Sequence, residues 1–534
     1  MESVKKWDIF ELTFCVENMS EPVQAGALKA AFHGEKETVE VESFYDGGNV
    51  YKVRFMPSYE GHYTYKVETG NYQLNKKSDK YEGEFEVIAA DGGNHGPVQV
   101  KNSRYLAYAD GTIYHSVGTT CYAWLYQTEE LQRQTLETLK NSCFNKIRFC
   151  IFPKYYEFNE NEPQYYPFER GISRGQDEEK AAGKIPITFP QTKEAKDIRD
   201  FNFYKPNSAY FKKVDDQIAQ LRDLGIEADI ILFHPYDKWG FSTMEKACNE
   251  QYLQYMVARY SAYHNVWWSM ANEYDLMPFT KEEWNYYGRL VRQNDAYGHL
   301  CSIHNCMGFF DYTEDWITHC SMQKNTTYEH VEKTEQHLEK YKKPVVWDEI
   351  GYEGNVDRGW GNISGQELVR RFWESVLRGG CAGHGETYIH PEDILWWAKG
   401  GVLHGDSEPR LKFLKKIWDE TPGGCLKAIN EEPFDEVISI PVEENKICNW
   451  MQTTWCSYEL HYFGIGRPAY RILELPEDAS YQVEVIDTWN MTITDTGVHS
   501  GFTKVELPGQ ECMAIRIIKR LEKIILTESK NGGA

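Results

Sequence analysis

From about residue 98 to residue 425 the chain alternates short apolar runs of strand length with stretches of helical periodicity. Thr280 with Glu283, and Ser364 with Glu367, match the capping-box pattern that opens a helix. Eight βα units over this length predict a (β/α)8 barrel of the TIM type, which carries its functional side chains at the carboxyl ends of its strands. The candidate strands are 114–121, 146–152, 227–233, 265–272, 300–305, 318–323, 344–349 and 380–386.

The regions on either side of the barrel have a two-residue periodicity instead. Alternating segments such as 10–16 and 63–67 are separated by turn residues, and the pattern returns after about residue 430. Such segments are typical of antiparallel β-sandwiches. The sequence therefore predicts an α/β protein whose barrel is flanked by an N-terminal and a C-terminal β-sandwich. The expected divisions are 1–92 for the first sandwich, 93–427 for the barrel, 428–522 for the second sandwich and 523–534 for a disordered tail.

Two glutamates end strand-like runs of the predicted barrel. Glu273 closes the fourth candidate strand, and Glu349 closes the seventh. A carboxylate at the end of a buried strand lies where water is scarce, so its proton affinity can be tuned. Two carboxylates that face one cavity are the minimal set for hydrolysing a glycosidic bond. The pair therefore predicts a glycosidase site at the top of the barrel.

Neighbouring acids offer alternative assignments. Strand alternation places Trp347 and Glu349 on one face, so Asp348 is expected to point outward. Asp275 lies just past the fourth strand and is the stronger rival to Glu273. The long segment 154–207, between the second and third strands, is expected to help build the substrate cleft.

Charge and composition restrict the expected partners. The formal net charge of −23 repels nucleic acids and anionic membranes, so neither is an expected partner. The 36 tyrosines and 16 tryptophans suit stacking on sugar rings, which favours a carbohydrate substrate. The 13 cysteines form no CxxC pair and the N-terminus has no apolar signal core, so we expect a cytoplasmic protein with reduced thiols and no metal or cofactor. The sequence is also compatible with a homo-oligomer.

Several motifs resemble bacterial proteins related to the apiosidase-like glycosidases. Asn272-Glu273 after strand four, with Glu349 after strand seven, is similar to the signature of the clan of retaining glycoside hydrolases with (β/α)8 barrels. The further matching segments are 44–47, 54–57, 60–61, 94–98 and 118–124. The resemblance implies an immunoglobulin-like domain before the barrel and a β-domain after it. It also implies an O-glycosyl hydrolase of the retaining type that acts on pentose, furanose or related units of plant material. The missing export signal favours small oligosaccharides or glycosides, and hence exo-action.

Carried over to this chain, the resemblance assigns Glu273 as the acid/base and Glu349 as the nucleophile. Asn272 would bind the sugar 2-hydroxyl, and Arg148 matches a position where the clan often has an arginine that keeps the nucleophile ionised. Other strand ends supply polar candidates for sugar hydroxyls, and aromatic residues supply stacking platforms. These substrate-binding candidates are His234, His304, Asn305, Gln323, Glu386, Trp124, Trp239 and Trp396, the last followed by Trp397.

Two other functions compete with this interpretation. A metal-dependent hydrolase of barrel type usually has closely spaced histidines on its first strand, where this chain has His115 alone. A carbohydrate-binding protein on a degenerate barrel would have no need of both carboxylates.

Overall fold

The computed structural model describes residues 2–17, 25–69, 73–74, 81–171, 201–323, 330–389, 395–429, 436–445, 448–449, 452–453 and 455–520. The tail expected to be disordered lies outside these residues. The chain forms two compact units, one within Met1–Phe372 and Gly380–Lys412 and the other within Trp373–Gly379 and Phe413–Ala534. None of the helices in the described part of the chain has the length and apolar character needed to span a bilayer.

The N-terminal region is one mostly antiparallel sheet in the order β1-β8-β6-β3-β4-β5-β2-β7. Phe10 of β2 stacks on Phe85 of β8 with centroids 3.9 Å apart, although these strands are distant in the sheet order. The sheet therefore folds over itself into two layers around aromatic side chains, and the immunoglobulin-like assignment stays a prediction. The strands are β1 (Glu2–Lys5), β2 (Phe10–Glu17), β3 (Ala25–His33), β4 (Thr38–Tyr45), β5 (Val50–Phe55), β6 (Gly61–Glu68), β7 (Gln73–Leu74) and β8 (Glu82–Ile88).

Strands and helices then alternate along the chain, as the periodicity predicts. The strands are β9 (Val98–Lys101), β10 (Tyr105–Tyr108), β11 (Val117–Thr120), β12 (Lys146–Cys150), β13 (Phe168–Arg170), β14 (Phe201–Pro206), β15 (Glu227–Phe233), β16 (Val266–Ala271), β17 (Cys301–Ser302), β18 (Cys320–Gln323), β19 (Val345–Glu349), β20 (Glu353–Gly354), β21 (Cys381–His384) and β22 (Glu386–Thr387). The α-helices are α1 (Glu129–Asn141), α2 (Ser208–Asp223), α3 (Lys246–Tyr260), α4 (Lys281–Asn294), α5 (Thr334–Tyr341), α6 (Gly365–Leu377), α7 (Trp396–Lys399) and α8 (Ser407–Asp419). Short 3-10 turns occur at Trp124–Tyr126, Phe241–Thr243, Tyr274–Leu276 and Val331–Lys333.

Eight parallel strands form the barrel, in the order β17-β16-β15-β12-β11-β21-β19-β18. A parallel bridge between His304 and Ser321 joins the two ends of this sheet and closes it. The barrel prediction is confirmed.

The capping box of Thr280 and Glu283 is present at the start of α4, and the Ser364 hydroxyl accepts a hydrogen bond from the Glu367 amide at the start of α6.

The β9–β10 hairpin belongs to the amino-terminal end of the barrel. Its residues Val98 and Leu106 pack with Tyr114 and with Trp267 of β16 in one apolar cluster. This apolar packing leaves the opposite, carboxyl end of the strands as the place for polar groups.

A buried charge cluster joins the N-terminal region to the barrel helices. Asp215 of α2 lies 2.7 Å from Arg259 of α3 and 2.9 Å from Arg54 of β5. Arg259, which is fully buried, also pairs with Asp46 at 3.0 Å. These buried charges find partners of opposite sign only when the N-terminal region is packed against the barrel helices.

The second unit contains a six-stranded sheet in the order β23-β24-β27-β32-β29-β30. The β28–β31 hairpin packs on it, because Leu473 and Val505 share one buried cluster with Val483 and Ile515. This arrangement is a two-layer β-domain, as predicted after residue 430. The strands are β23 (Leu426–Ala428), β24 (Val437–Pro441), β25 (Cys448–Asn449), β26 (Gln452–Thr453), β27 (Tyr458–Tyr462), β28 (Tyr470–Glu474), β29 (Ser480–Asp487), β30 (Thr492–His499), β31 (Phe502–Glu506) and β32 (Met513–Arg520).

Candidate active site

Glu273 lies two residues after the end of β16, where the chain leaves the barrel wall. Its backbone is left-handed, with φ 56° and ψ 56°, a conformation that costs a non-glycine residue about 1–3 kcal/mol and persists mainly at functional sites. The side chain is 7% exposed and accepts a hydrogen bond from the Tyr236 hydroxyl. Burial, reinforced by the charge of Glu349, raises the pKa of Glu273 to about 7. Glu273 is therefore suited to hold a proton near neutral pH.

Glu349 ends β19 and has the opposite electrostatic environment. It is also 7% exposed, and its Oε1 accepts a hydrogen bond from the Tyr122 hydroxyl. His304 Nε2 lies 3.3 Å and Arg148 Nη1 lies 3.7 Å from the same oxygen. Burial alone would raise its pKa, but His304, Arg148 and the Tyr122 hydroxyl together hold the pKa of Glu349 well below the ordinary glutamate value. Glu349 is therefore a carboxylate anion at neutral pH.

Asn272 connects the two acids. Its Oδ1 lies 3.0 Å from the Tyr122 hydroxyl, the same group that contacts Glu349. The backbone of Asn272 is held by a hydrogen bond from its amide to the carbonyl of Phe233 on the neighbouring strand. Glu273, Asn272 and Glu349 therefore belong to one site.

A layer of buried charges lies inside the barrel beside Glu349. Lys146 Nζ lies 2.5 Å from Asp348 and 3.0 Å from Asp229. Arg148 Nε lies 3.4 Å from Asp229, and no nitrogen of the Arg148 guanidinium has a hydrogen-bond partner among the described residues. Arg148 is thus held by carboxylates around it while its N–H groups stay available near Glu349.

The expected orientation of Asp348 is wrong. Strands β12 and β19 are separated in the barrel by β11 and β21, so the Lys146–Asp348 ion pair must cross the interior. The Trp347 indole points the other way and donates to Thr334 of α5. Alternation along β19 therefore places the Trp347 side chain outside the barrel and that of Asp348 inside. Glu349 also faces the interior, because it is the last residue of the strand, where the pairing with β18 is irregular.

Asp275, the rival to Glu273, has a different set of contacts. Its two carboxylate oxygens accept hydrogen bonds from the backbone amides of Cys306, Met307 and Gly308 at 2.6, 2.6 and 2.9 Å. These contacts fix the loop after β17, so the geometry favours Glu273 as the acid.

A lysine caged by aromatic rings lies beside both glutamates. Lys154 follows β12 in the segment expected to build the cleft, and its ammonium lies 3.6 Å from the Tyr122 ring centroid and 4.2 Å from that of Tyr236. The rings of Tyr156 and Trp397 lie 4.6 and 5.6 Å away. We call these four rings and the ammonium the Lys154 cage.

The predicted polar ligands occupy several strand ends. The imidazole of His234 donates from Nε2 to the Phe152 carbonyl, and burial lowers its pKa to about 3, so it is neutral. Unpaired buried polar atoms among the described residues include His234 Nδ1, Asn305 Nδ2 and Gln323 Oε1. His304 contacts Glu349 itself, as described above. These four residues stay predicted substrate contacts.

Glu386 is placed differently. Its oxygens accept hydrogen bonds from the backbone amides of His404 and Gly405. Glu386 also forms a compact group with Glu353 and His384, whose ligand-type atoms all lie within 4.8 Å of one another. This is the one group of metal-ligand type found in the described part of the chain. Glu353 accepts hydrogen bonds from the backbone amides of Asp406 and Ser407, so both carboxylates already fix the chain around the start of α8.

The predicted stacking tryptophans are mostly enclosed. Trp124 is completely buried against Phe149, and the Trp239 indole donates to Glu162. The Trp396 indole donates to Thr119 at 2.8 Å, whereas its neighbour Trp397 is one of the rings of the Lys154 cage. Trp360, which the sequence reasoning did not select, lies 4.9 Å from the buried Trp397 and is 38% exposed, so it extends the aromatic surface beside Trp397 to solvent.

Three further residues escaped the sequence reasoning: Tyr122, Tyr236 and Lys154. Tyr122 and Tyr236 follow the first and third barrel strands by two or three residues, and Lys154 follows the second strand by four. Their position just past strand ends is the signal that could have identified them.

Comparisons with known proteins assign domains to three parts of the chain. The profile of the apiosidase-like catalytic domain matches residues 100–421, and two domains of unknown function, DUF5060 and DUF5605, match residues 3–70 and 449–518. A comparison with curated proteins gives no match.

Solved structures are similar over most of the chain. A candidate glycoside hydrolase of Bacteroides vulgatus ATCC 8482 is 33% identical, with a TM-score of 0.85 over 97% of this chain and 100% of its own. A glycoside hydrolase family 5 protein of the same organism is 15% identical, with a TM-score of 0.56 over 79% and 94% of the two chains. Another glycoside hydrolase is 14% identical, with a TM-score of 0.58 over 82% and 100%. The last two show the fold alone. On the family match and the 33% identity, this chain belongs to the apiosidase-like family and is a glycoside hydrolase.

Proposed function

We propose that the protein hydrolyses glycosides with retention of configuration, with Glu349 as nucleophile and Glu273 as acid/base. The observation that carries this proposal is the opposite displacement of two interacting carboxyl pKa values in one site: that of Glu273 is raised to about 7 and that of Glu349 is lowered. Two titratable groups whose environments separate their pKa values are suited to divide the acid and base roles.

In the first step the Glu349 carboxylate attacks the anomeric carbon while Glu273 gives its proton to the leaving oxygen. The glycosidic C–O bond breaks and a covalent glycosyl-enzyme ester forms on Glu349. In the second step Glu273, now a carboxylate, takes a proton from water, and the resulting hydroxide displaces Glu349 from the anomeric carbon. Both glutamates then return to their starting states.

The surrounding residues support these roles. Arg148 and His304 stabilise the Glu349 anion before attack, and the Tyr122 hydroxyl fixes its orientation. Asn272 lies against the same hydroxyl, where its amide can reach the 2-hydroxyl of a sugar bound over Glu349. Trp397 and Trp360 supply an apolar wall for the sugar ring.

For the substrate we propose terminal pentose or furanose units of plant-derived oligosaccharides or glycosides, removed by exo-action. The support is the match to the apiosidase-like catalytic domain. A panel of 4-nitrophenyl pyranosides and furanosides identifies the unit.

The proposed mechanism is tested by replacing each glutamate. Glu273→Ala and Glu349→Ala should each lower kcat on the best aryl glycoside of the panel by two to four orders of magnitude, of the order expected for loss of an acid–base or nucleophilic group. Glu282→Ala, at an exposed position of α4, is the matched control and should keep wild-type turnover. Wild-type turnover in both active-site variants would overturn the mechanism.

A further inference from the structure

The ammonium of Lys154 is buried among aromatic rings. The side chain is 2% exposed, and its Nζ lies 3.6 Å from the Tyr122 ring centroid and 4.2 Å from that of Tyr236. The contacts that hold it are the faces of aromatic rings, chiefly Tyr122 and Tyr236. Burying an ammonium in this way costs free energy unless aromatic rings and nearby negative charges stabilise its charged form.

The two nearest rings belong to the tyrosines that hold the two glutamates. Tyr122 donates its hydroxyl to Glu349, and Tyr236 donates its hydroxyl to Glu273. The ammonium therefore contacts both of the rings whose hydroxyls position the two carboxylates.

The electrostatics agree with this placement. Burial lowers the pKa of Lys154, whereas the charges of Glu273 and Glu349 favour its protonated form. Conversely, burial and the negative charge of Glu349 both raise the pKa of Glu273. The positive charge of Lys154 is the largest influence that lowers it. The titratable and charged groups that face the ammonium are Tyr122, Tyr156, Tyr236, Cys150, Glu273, Glu349, Arg148 and His234.

The need for such a cation follows from the two-step reaction. After the first step Glu349 is a neutral ester, and Glu273 must carry negative charge in a buried site to act as base. Arg148 lies beside Glu349, so Lys154 is the cation placed to stabilise the Glu273 anion at that stage.

We propose that Lys154 is a positioning residue that, from between Tyr122 and Tyr236, keeps a single proton on the Glu273–Glu349 pair and stabilises Glu273 as the base of the second step. This proposal rests on the proposed function of the two glutamates.

The test is the pH profile of kcat/KM for Lys154→Met and Lys154→Arg, measured on the best 4-nitrophenyl glycoside. Loss of a cation this close should move the alkaline limb upward by about one pH unit, because Glu273 then loses its proton less readily. Lys154→Arg, which keeps the charge, should keep the limb where the wild type has it. Lys246→Met is the matched control, because it removes a lysine 4.3 Å from the Tyr286 ring on an outer helix, and should shift nothing.

Lys154→Gln, a second neutral variant, serves if Lys154→Met does not fold, with circular dichroism to check each protein. A lower rate without a shift of the alkaline limb in the folded neutral variant shows a merely structural role and overturns the proposal. Glu273→Ala separates the two ideas. An alkaline limb that persists in this variant contradicts the proposed function, whereas a limb that disappears there but stays unshifted in Lys154→Met contradicts the Lys154 proposal alone.

Discussion

The hydroxyl of Tyr122 donates a hydrogen bond to Oε1 of Glu349. Tyr122 lies at the end of β11 and Glu349 at the end of β19, so strands on either side of β21 jointly position one carboxylate. The orientation of the proposed nucleophile thus depends on the pairing of β11, β21 and β19 in the barrel wall.

Tyr122→Phe should lower kcat/KM about 10- to 100-fold. A hydrogen bond to a charged group contributes about 1.5–3 kcal/mol, and 1.4 kcal/mol is tenfold in rate. The acidic limb of the pH profile should also move upward, because the hydroxyl helps to lower the pKa of Glu349. Tyr260→Phe is the control: its hydroxyl donates to the Phe211 carbonyl away from the site, so stability should fall slightly and the pH profile should not change.

The wild-type pH profile of kcat/KM should be bell-shaped with its alkaline limb near pH 7. Activity requires Glu273 protonated and Glu349 ionised. As pH rises through the raised pKa of Glu273, about 7, the acid is lost and activity falls. As pH falls, activity persists below the ordinary glutamate range because the pKa of Glu349 is lowered. An alkaline limb near pH 4.5 would contradict this assignment.

Asp215→Ala should destabilise the fold by about 3–5 kcal/mol, because Arg54 and Arg259 would be left buried without their shared carboxylate. Urea unfolding measures the change, and Asp216→Ala, at the exposed neighbouring position, should change stability by no more than about 0.5 kcal/mol. Burial opposes ionisation of Asp215, but the two arginines lower its pKa, so its contribution is present above the ordinary aspartate value and is lost as pH falls through the lowered one. Equal stabilities of the two variants would contradict the role of this cluster.

Exhaustive chelation should leave turnover unchanged, since the proposed mechanism uses carboxylates alone. The group of Glu353, His384 and Glu386 makes this a real test, because it is where a metal could be held. Assay after dialysis against a strong chelator, with and without added zinc or manganese, measures the effect. Loss of activity that the metal restores would favour the metal-dependent hydrolase.

The barrel could be predicted from sequence because its strands are buried on both faces and read as apolar runs. The interval 227–233 agrees with β15 residue for residue, whereas 300–305 contains only the two-residue strand β17. Only Cys301 and Ser302 pair with β16, although the apolar sequence continues beyond Ser302. Apolar character thus reports burial, and it does not report where the hydrogen-bonded ladder stops.

The two glutamates could be found because each ends such a run. Their partners could not be found in this way, because Tyr236 and Lys154 reach the site from irregular segments past strand ends, where no periodicity fixes direction. The orientation of Asp348 failed for a related reason: alternation counted back from Glu349 assumes a regular strand, and the pairing of β19 with β18 is irregular there.

The most direct test of the central claim is azide rescue of Glu349→Ala, with the product configuration read by proton NMR. In the cavity left by the nucleophile, azide should attack the anomeric carbon once and restore turnover, giving a glycosyl azide of inverted configuration. In Glu273→Ala, azide should instead react with the glycosyl-enzyme and give the retained product. A Glu349→Ala protein that turns over at the wild-type rate without azide, or that yields retained product with it, would contradict Glu349 as the nucleophile.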